Sequence, residues 1–235
     1  MRLALVAALT GLVAAAGASP TGLNVIPTTD LVPLQSWVLA FQNSNPDFAA
    51  PSLFEHPLFI AETQAGLESW LEAGLDYEQT PDLTAYAVVF NVKALVMQED
   101  EHQPNFAVGM WNVAAGQAPG YYVAFSKTLN YDQEQEERFK AHHRRNRKLL
   151  GRRVHLGMML DGHGIFQPFA GTDLQLNEAV VFQADYVHGA GNTATAGIAW
   201  VLPDQRTVLN PAFVFSNSGD KVIGLSINLS HQFNL

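Results

Sequence analysis

The chain has 235 residues, no cysteine, 48% hydrophobic residues and a formal net charge of −9 from 13 basic and 22 acidic side chains. That length suits one domain with a sizeable core. The acidity argues against general nucleic-acid binding, and without cysteine the fold must close by means other than disulfides.

Met1-Arg2 is a minimal positive start, Leu3 to Ala16 is apolar except for Thr10 and Gly11, and Ala16-Gly17-Ala18 has the A-x-A form of a cleavage site. Residues 1–18 therefore read as a secretory signal peptide, and 19–235 as the domain proper. With Arg2 set aside, the exported part carries 12 basic residues against 22 acidic ones. No later segment has the roughly 18 consecutive apolar residues of a membrane helix, so any crossing is not helical.

Two-residue alternation then recurs along the chain. SWVLAFQ (Trp37, Leu39, Phe41) and FIAETQAG (with Glu62 and Gln64) suit strands whose facing the pattern leaves open. WLEAGLDYE sets Leu71, Ala73, Leu75 and Tyr77 against Glu72, Gly74, Asp76 and Glu78. AYAVVFNVKAL sets Tyr86, Val88, Phe90, Val92 and Ala94 against Ala87, Val89, Asn91 and Lys93. NFAVGMWNV and YYVAFSK again suit strands of open facing.

Asn130 to Gly151 breaks the rhythm. It is polar, acidic first and basic last, with Gly151 as a stop, which predicts a short charged helix in a long connection. Eight of the 12 basic residues lie between Arg138 and Arg153.

Alternation resumes in RVHLGMML, with Val154, Leu156, Met158 and Leu160 against Arg153, His155 and Gly157. FQPFAGTDL and LNPAFVFS are less clean. Between them, VVFQADY opposes Phe182, Ala184 and Tyr186 to Gln183 and Asp185, and TATAGIAWVL opposes Ile198 and Trp200 to Thr195 and Gly197. The final strand runs Ile223, Leu225, Ile227, Leu229, Phe233, Leu235 on one face, with His231 as the single polar interruption. Turn clusters such as Ala118-Pro119-Gly120 and Asp161-Gly162-His163-Gly164 separate the runs. The total is about twelve strands in an antiparallel meander, or ten if two weak segments are loops.

Such alternation fits a soluble barrel with its apolar face inward, or a transmembrane barrel with that face to lipid. The polar faces carry single charges among Gly, Ala, Ser, Thr and Asn, not the dense Lys and Glu of a solvated surface. Trp37, Trp70, Tyr77, Tyr86, Tyr121, Tyr186 and Trp200 fall near strand ends, as interfacial girdles do. The signal peptide, the cysteine-free meander and the alternating last strand together resemble the outer-membrane β-barrel proteins of Gram-negative-type bacteria. The resemblance implies an all-β fold, a closed antiparallel up-and-down transmembrane β-barrel in the bacterial outer membrane. It also implies contact with outer-membrane lipid, and a last strand read by the barrel-assembly machinery during biogenesis. In that group the last strand usually ends on Phe or Trp, whereas here Phe233 stands two places early and Leu235 is terminal. Closure puts the last strand beside SWVLAFQ.

With the apolar faces outward, Glu62, Glu72, Asp76, Glu78, Asn91, Lys93, Arg153, His155, Gln183 and Asp185 line the lumen. They read either as a channel whose carboxylates favour cations or as an ionic plug that fills a narrow barrel. No catalytic, cofactor-binding or metal residues are predicted, so the reading is a non-catalytic narrow channel or structural barrel. One alternative is a lipid-modifying hydrolase with Ser126 and His155 as nucleophile and base, although no nucleophile motif surrounds them. The other is a soluble secreted barrel holding an apolar ligand. His102, His142, His143, His163 and His188 are too scattered to converge on a metal. The Arg138–Arg153 block suits anionic lipid headgroups, or a solvated helix. Twelve-strand parity puts it on the periplasmic side, where connections are usually short.

Overall fold

The computed structural model describes residues 22–45, 58–79, 86–113, 119–129, 152–189, 192–217 and 223–234. The signal peptide over 1–18 and the charged helix expected over 130–151 lie outside the described residues. Twelve strands form: β1 Ser36–Asn45, β2 Leu58–Glu68, β3 Leu71–Gln79, β4 Tyr86–Met97, β5 Asn105–Val113, β6 Gly120–Leu129, β7 Arg152–Leu160, β8 Phe166–Gln175, β9 Val180–Val187, β10 Thr193–Val201, β11 Thr207–Ser216 and β12 Ile223–Asn234. Each pairs antiparallel with its sequence neighbours, and β1 pairs with β12, so the sheet is a closed barrel. Closure leaves no row of unpaired backbone groups, which hydrocarbon would not tolerate.

The strictly alternating strands turn their large apolar side chains outward, where Leu75, Val88, Phe90, Leu156, Met158, Ile198, Ile227 and Leu229 are exposed. Their polar faces are the buried ones. The strands of open facing resolve the same way: Phe41, Phe125, Leu174 and Phe213 are exposed, while Gln42, Gln64, Asn105, Ser126, Thr128 and Asp173 are buried. A surface that is apolar outside and polar within is that of a transmembrane barrel. Aromatic residues mark its two rims. Tyr77, Tyr121 and Tyr186 are exposed near one rim, and Trp70 and Trp200 near the other.

The rim with the two Trp residues also carries Ser36 and Asn234, and is called the terminal rim below. Its connections are 69–70, 98–104, 130–151, 176–179 and 202–206. The connection 202–206 is a locked turn, closed by Gln205 N–H to Leu202 O at 2.9 Å. The Thr207 hydroxyl and the Arg206 and Thr207 amides hold the Asp204 carboxyl down to about 2.

Inside, three aromatic rings lie flat over glycines on the paired strand. A Cβ on Gly109, Gly120 or Gly157 would come within 2.3 Å of Tyr122, Trp111 or Phe169, so only glycine admits these rings. At the seam, Trp37 and Phe233 are register partners and their rings stack with centroids 4.1 Å apart. His231 packs edge-on against Phe233 and bonds the Thr207 hydroxyl at 2.7 Å, near the terminal rim.

Removing Phe233–Leu235 takes away the Trp37 stacking partner and the pairing of Ser36 and Trp37. The folded, heat-modifiable fraction after refolding into detergent is expected to fall several-fold. A full folded yield would show that the seam closes without this end.

Candidate functional site

The described residues before β1, 22–35, belong to no strand, yet half of them are buried. Leu23, Asn24, Ile26, Thr28, Thr29 and Val32 are all nearly inaccessible. Their contacts place the segment inside the barrel. Near the far rim, the Asn24 amide donates to Thr195 of β10 at 2.8 Å, and the Val25 N–H donates to Asp185 of β9 at 3.0 Å. Midway, the Thr29 N–H points at Ser126 Oγ of β6 at 3.4 Å. Near the terminal rim, the Val32 N–H donates to Glu72 of β3 at 2.7 Å, and Arg153 of β7 grips Asp30 with two bonds of 2.7 and 2.9 Å. Residues 22–34 therefore run the length of the lumen, and a tight turn closed by Ser36 N–H to Pro33 O (3.1 Å) feeds them into β1.

The local sequence explains why this stretch is not a strand. Pro27 and Pro33 lack the N–H a ladder needs, and LNVIPTTDLVP does not alternate. Leu23 and Ile26 instead join Trp111, Tyr122, Phe169 and Val187 in the apolar cluster of the far half. Burying such an aliphatic side chain contributes about 1.5–3 kcal/mol. Gly171 of β8 makes room, since a Cβ there would stand 2.5 Å from Ile26 Cδ1 and 2.7 Å from Leu23 Cδ1.

The sequence-predicted interior residues divide between this segment and one another. Glu72 serves both, holding Val32 and pairing with Lys93 Nζ at 3.0 Å. Asp185 holds Val25 and also accepts from the Thr195 hydroxyl. Arg153 holds Asp30 and lies 3.8 Å from Asp173. Asp30 is half exposed, so water screens that pair. Asp76 accepts from Asn91, and Glu62, fully buried, is the register partner of Asp76. Gln183 accepts from Asn210 at 2.8 Å. Glu78 pairs in register with Ile60 and Ala87, and its side chain lies outside those described.

Ser126 and His155 do meet. Ser126 Oγ lies 2.8 Å from His155 Nδ1, and His155 Nε2 lies 3.0 Å from Asp173. If Nε2 carries the proton toward the carboxylate, Nδ1 accepts from the serine. The ring is thus turned the opposite way from a serine-hydrolase triad, in which Nε2 faces the nucleophile. Ser126 is only 1% exposed and meets the Thr29 N–H, so the pair faces the inner segment. Beside Pro27, a cavity lined by Gln64, Glu72, Lys93, Trp111 and Tyr122 measures about 20 Å³. That admits about one water.

Sequence reasoning missed residues 22–34, Asp30, Asp173 and Thr195. Two signals were available: six aliphatic residues in 23–34 with no strand to serve, and an interior with more acceptors than donors.

No family model matches the sequence, and no curated protein does. Among solved structures, a KdgM porin superposes with a TM-score of 0.56 at 7% identity, over 84% of this chain and 99% of that one. A triple mutant of the Rhodopseudomonas blastica porin gives 0.41 at 10% identity, over 75% of this chain and 55% of that one. The first likeness establishes a shared fold, the closed porin-type barrel.

Replacing Gly171 with leucine should overfill the pocket of Leu23 and Ile26 and weaken seating of the segment by about 1–3 kcal/mol. The expected result is a barrel that is still heat-modifiable but is cleaved by protease within residues 22–35, detected by mass spectrometry. Unchanged resistance would show that the apolar pocket does not hold the segment.

Proposed function

We propose that this chain is a non-catalytic outer-membrane β-barrel of porin type, held closed by its own amino-terminal segment. The observation that carries the reading is the path of residues 22–34 along the lumen, bonded to the wall at Asp185, Ser126, Glu72 and Arg153. The outer face supports the location: an exposed apolar belt bounded by Tyr at one rim and Trp at the other suits lipid with two interfaces. The signal peptide and the closing strand are then the export and assembly addresses. The terminal rim faces the periplasm, and the basic block there meets anionic headgroups through residues other than Arg153, which is committed to Asp30.

Without the segment, the strands present buried Glu62, Glu72, Asp76, Asp173 and Asp185 against Lys93 and Arg153. Five carboxylates against two cations favour positive solutes by concentrating them in a low-dielectric passage. Planar-bilayer recording tests both halves of the reading. The full-length barrel should be silent for most of the record, and deletion of residues 22–33 should give stepwise cation-selective conductance. Steady conductance by the full-length protein would sink the closed-channel reading. Silence of the deletion variant, with the barrel folded, would show that the wall network seals the lumen alone.

A further inference from the structure

We infer that the barrel interior is a binding site for a peptide, with residues 22–33 as its tethered occupant. The inference rests on the closed-channel reading above and gives that lumen a ligand class.

Three observations support it. First, the wall recognises main chain. Glu72 and Asp185 accept backbone N–H groups from Val32 and Val25, and Ser126 faces that of Thr29. Such contacts are made to main chain and carry no side-chain preference of their own. Second, a few side chains set the register. Leu23 and Ile26 enter the aromatic pocket over Gly171, and Asp30 meets the fork of Arg153. A planar guanidinium selects a carboxylate by bidentate geometry. Third, the segment is held as a ligand is held. Among the described residues its one ladder contact with the sheet is the parallel bridge of Leu34 to Gly66. Its covalent link to β1 passes through Leu34 and Gln35, both exposed at the terminal rim, with Gln35 at φ 58°. The rest of the segment meets the wall through side-chain acceptors, an ion pair and apolar packing.

The ligand chemistry follows from the spacing. It is a peptide bent at its leading end, with two aliphatic residues three apart and a carboxylate four residues beyond the second. Nothing in these contacts requires the occupant to be joined to β1.

The test uses the full-length barrel carrying a protease recognition sequence between Leu34 and Gln35, cut after folding. A fluorescent synthetic peptide of residues 22–34 is then added, and binding is read by anisotropy, independently of conductance. Saturable entry of the labelled peptide is expected, with Asp30→Asn in the peptide lowering affinity about 2- to 5-fold. A scrambled peptide of the same composition should not compete. Equal binding of the scrambled peptide, or loss of the cut segment with no rebinding, would overturn the inference. If the insertion prevents folding, uninterrupted full-length Asp30→Ala replaces it. At about millimolar peptide, the order of a tether's effective concentration, that variant should take up label above the wild-type chain. No uptake above wild type would equally overturn the proposal. Peptide binding to a barrel that never conducts would reject the channel reading and leave the peptide site standing.

Discussion

Acidic side chains buried inside a closed wall must find donors, and the rest of this structure follows from how they find them. A buried carboxylate without hydrogen-bond partners costs several kcal/mol, or neutralises. Each strand has already committed its own N–H groups to the ladder, so the wall cannot supply them from its backbone. Lys93 and Arg153 supply some. Asn91, His155 and Thr195 supply others, and still others come from a piece of chain kept out of the sheet, whose N–H groups at Val25 and Val32 reach Asp185 and Glu72. An irregular segment is suited to that task because its donors have no ladder to satisfy.

The same division of labour explains the two halves of the lumen. Toward the terminal rim the contents are ionic: Asp30, Arg153, Asp173, His155 and the Glu72–Lys93 pair. Toward the far rim they are apolar, with Leu23 and Ile26 under Trp111, Tyr122 and Phe169. A twelve-stranded wall encloses more volume than its inward side chains fill, and the chain completes the packing with its own leading residues. Outside, the requirement reverses, and exposed Val88, Phe90, Leu156 and Phe213 need an apolar surrounding. The glycines beneath Tyr122, Trp111 and Phe169 connect the two faces, letting large rings lie inward without forcing neighbouring strands apart.

Much of this was legible in the sequence. The period of two located all twelve strands, because one face of each must meet a different medium from the other. Where both faces were apolar or small, as in YYVAFSK and FIAETQAG, period alone left the facing open. There the ladder decided, turning Tyr122 and Ala124 inward beside Ser126, and Ile60 beside Glu62. The charges of Glu72, Arg153, His155 and Asp185 marked an interior surface, since charges on a lipid face are costly. The inner segment was not legible as such. Its order is dictated by partners 40 to 171 residues away, and no local pattern in LNVIPTTDLVP encodes them. Ser126 and His155 show the opposite case, a pair that sequence spacing brought into view, whose role only the Thr29 contact and the ring orientation define.

The long sequence separations of these contacts also constrain how the structure forms. The acceptors for residues 22–34 sit on β3, β6, β7, β9 and β10, so the site does not exist until those strands are in register. Those strands come into register only as the meander completes, and its closing pair joins the first strand to the last. Non-local pairings of this kind form slowly because loop closure must precede the contacts that reward it. The leading segment, although first in the chain, therefore seats late, into a cavity whose acceptors are already fixed. It seats from the terminal rim, where the Pro33–Ser36 turn anchors it. An interior that is assembled before its occupant arrives must be specific enough to draw in that occupant against water. The combination of backbone acceptors, one guanidinium fork and one apolar pocket supplies that specificity.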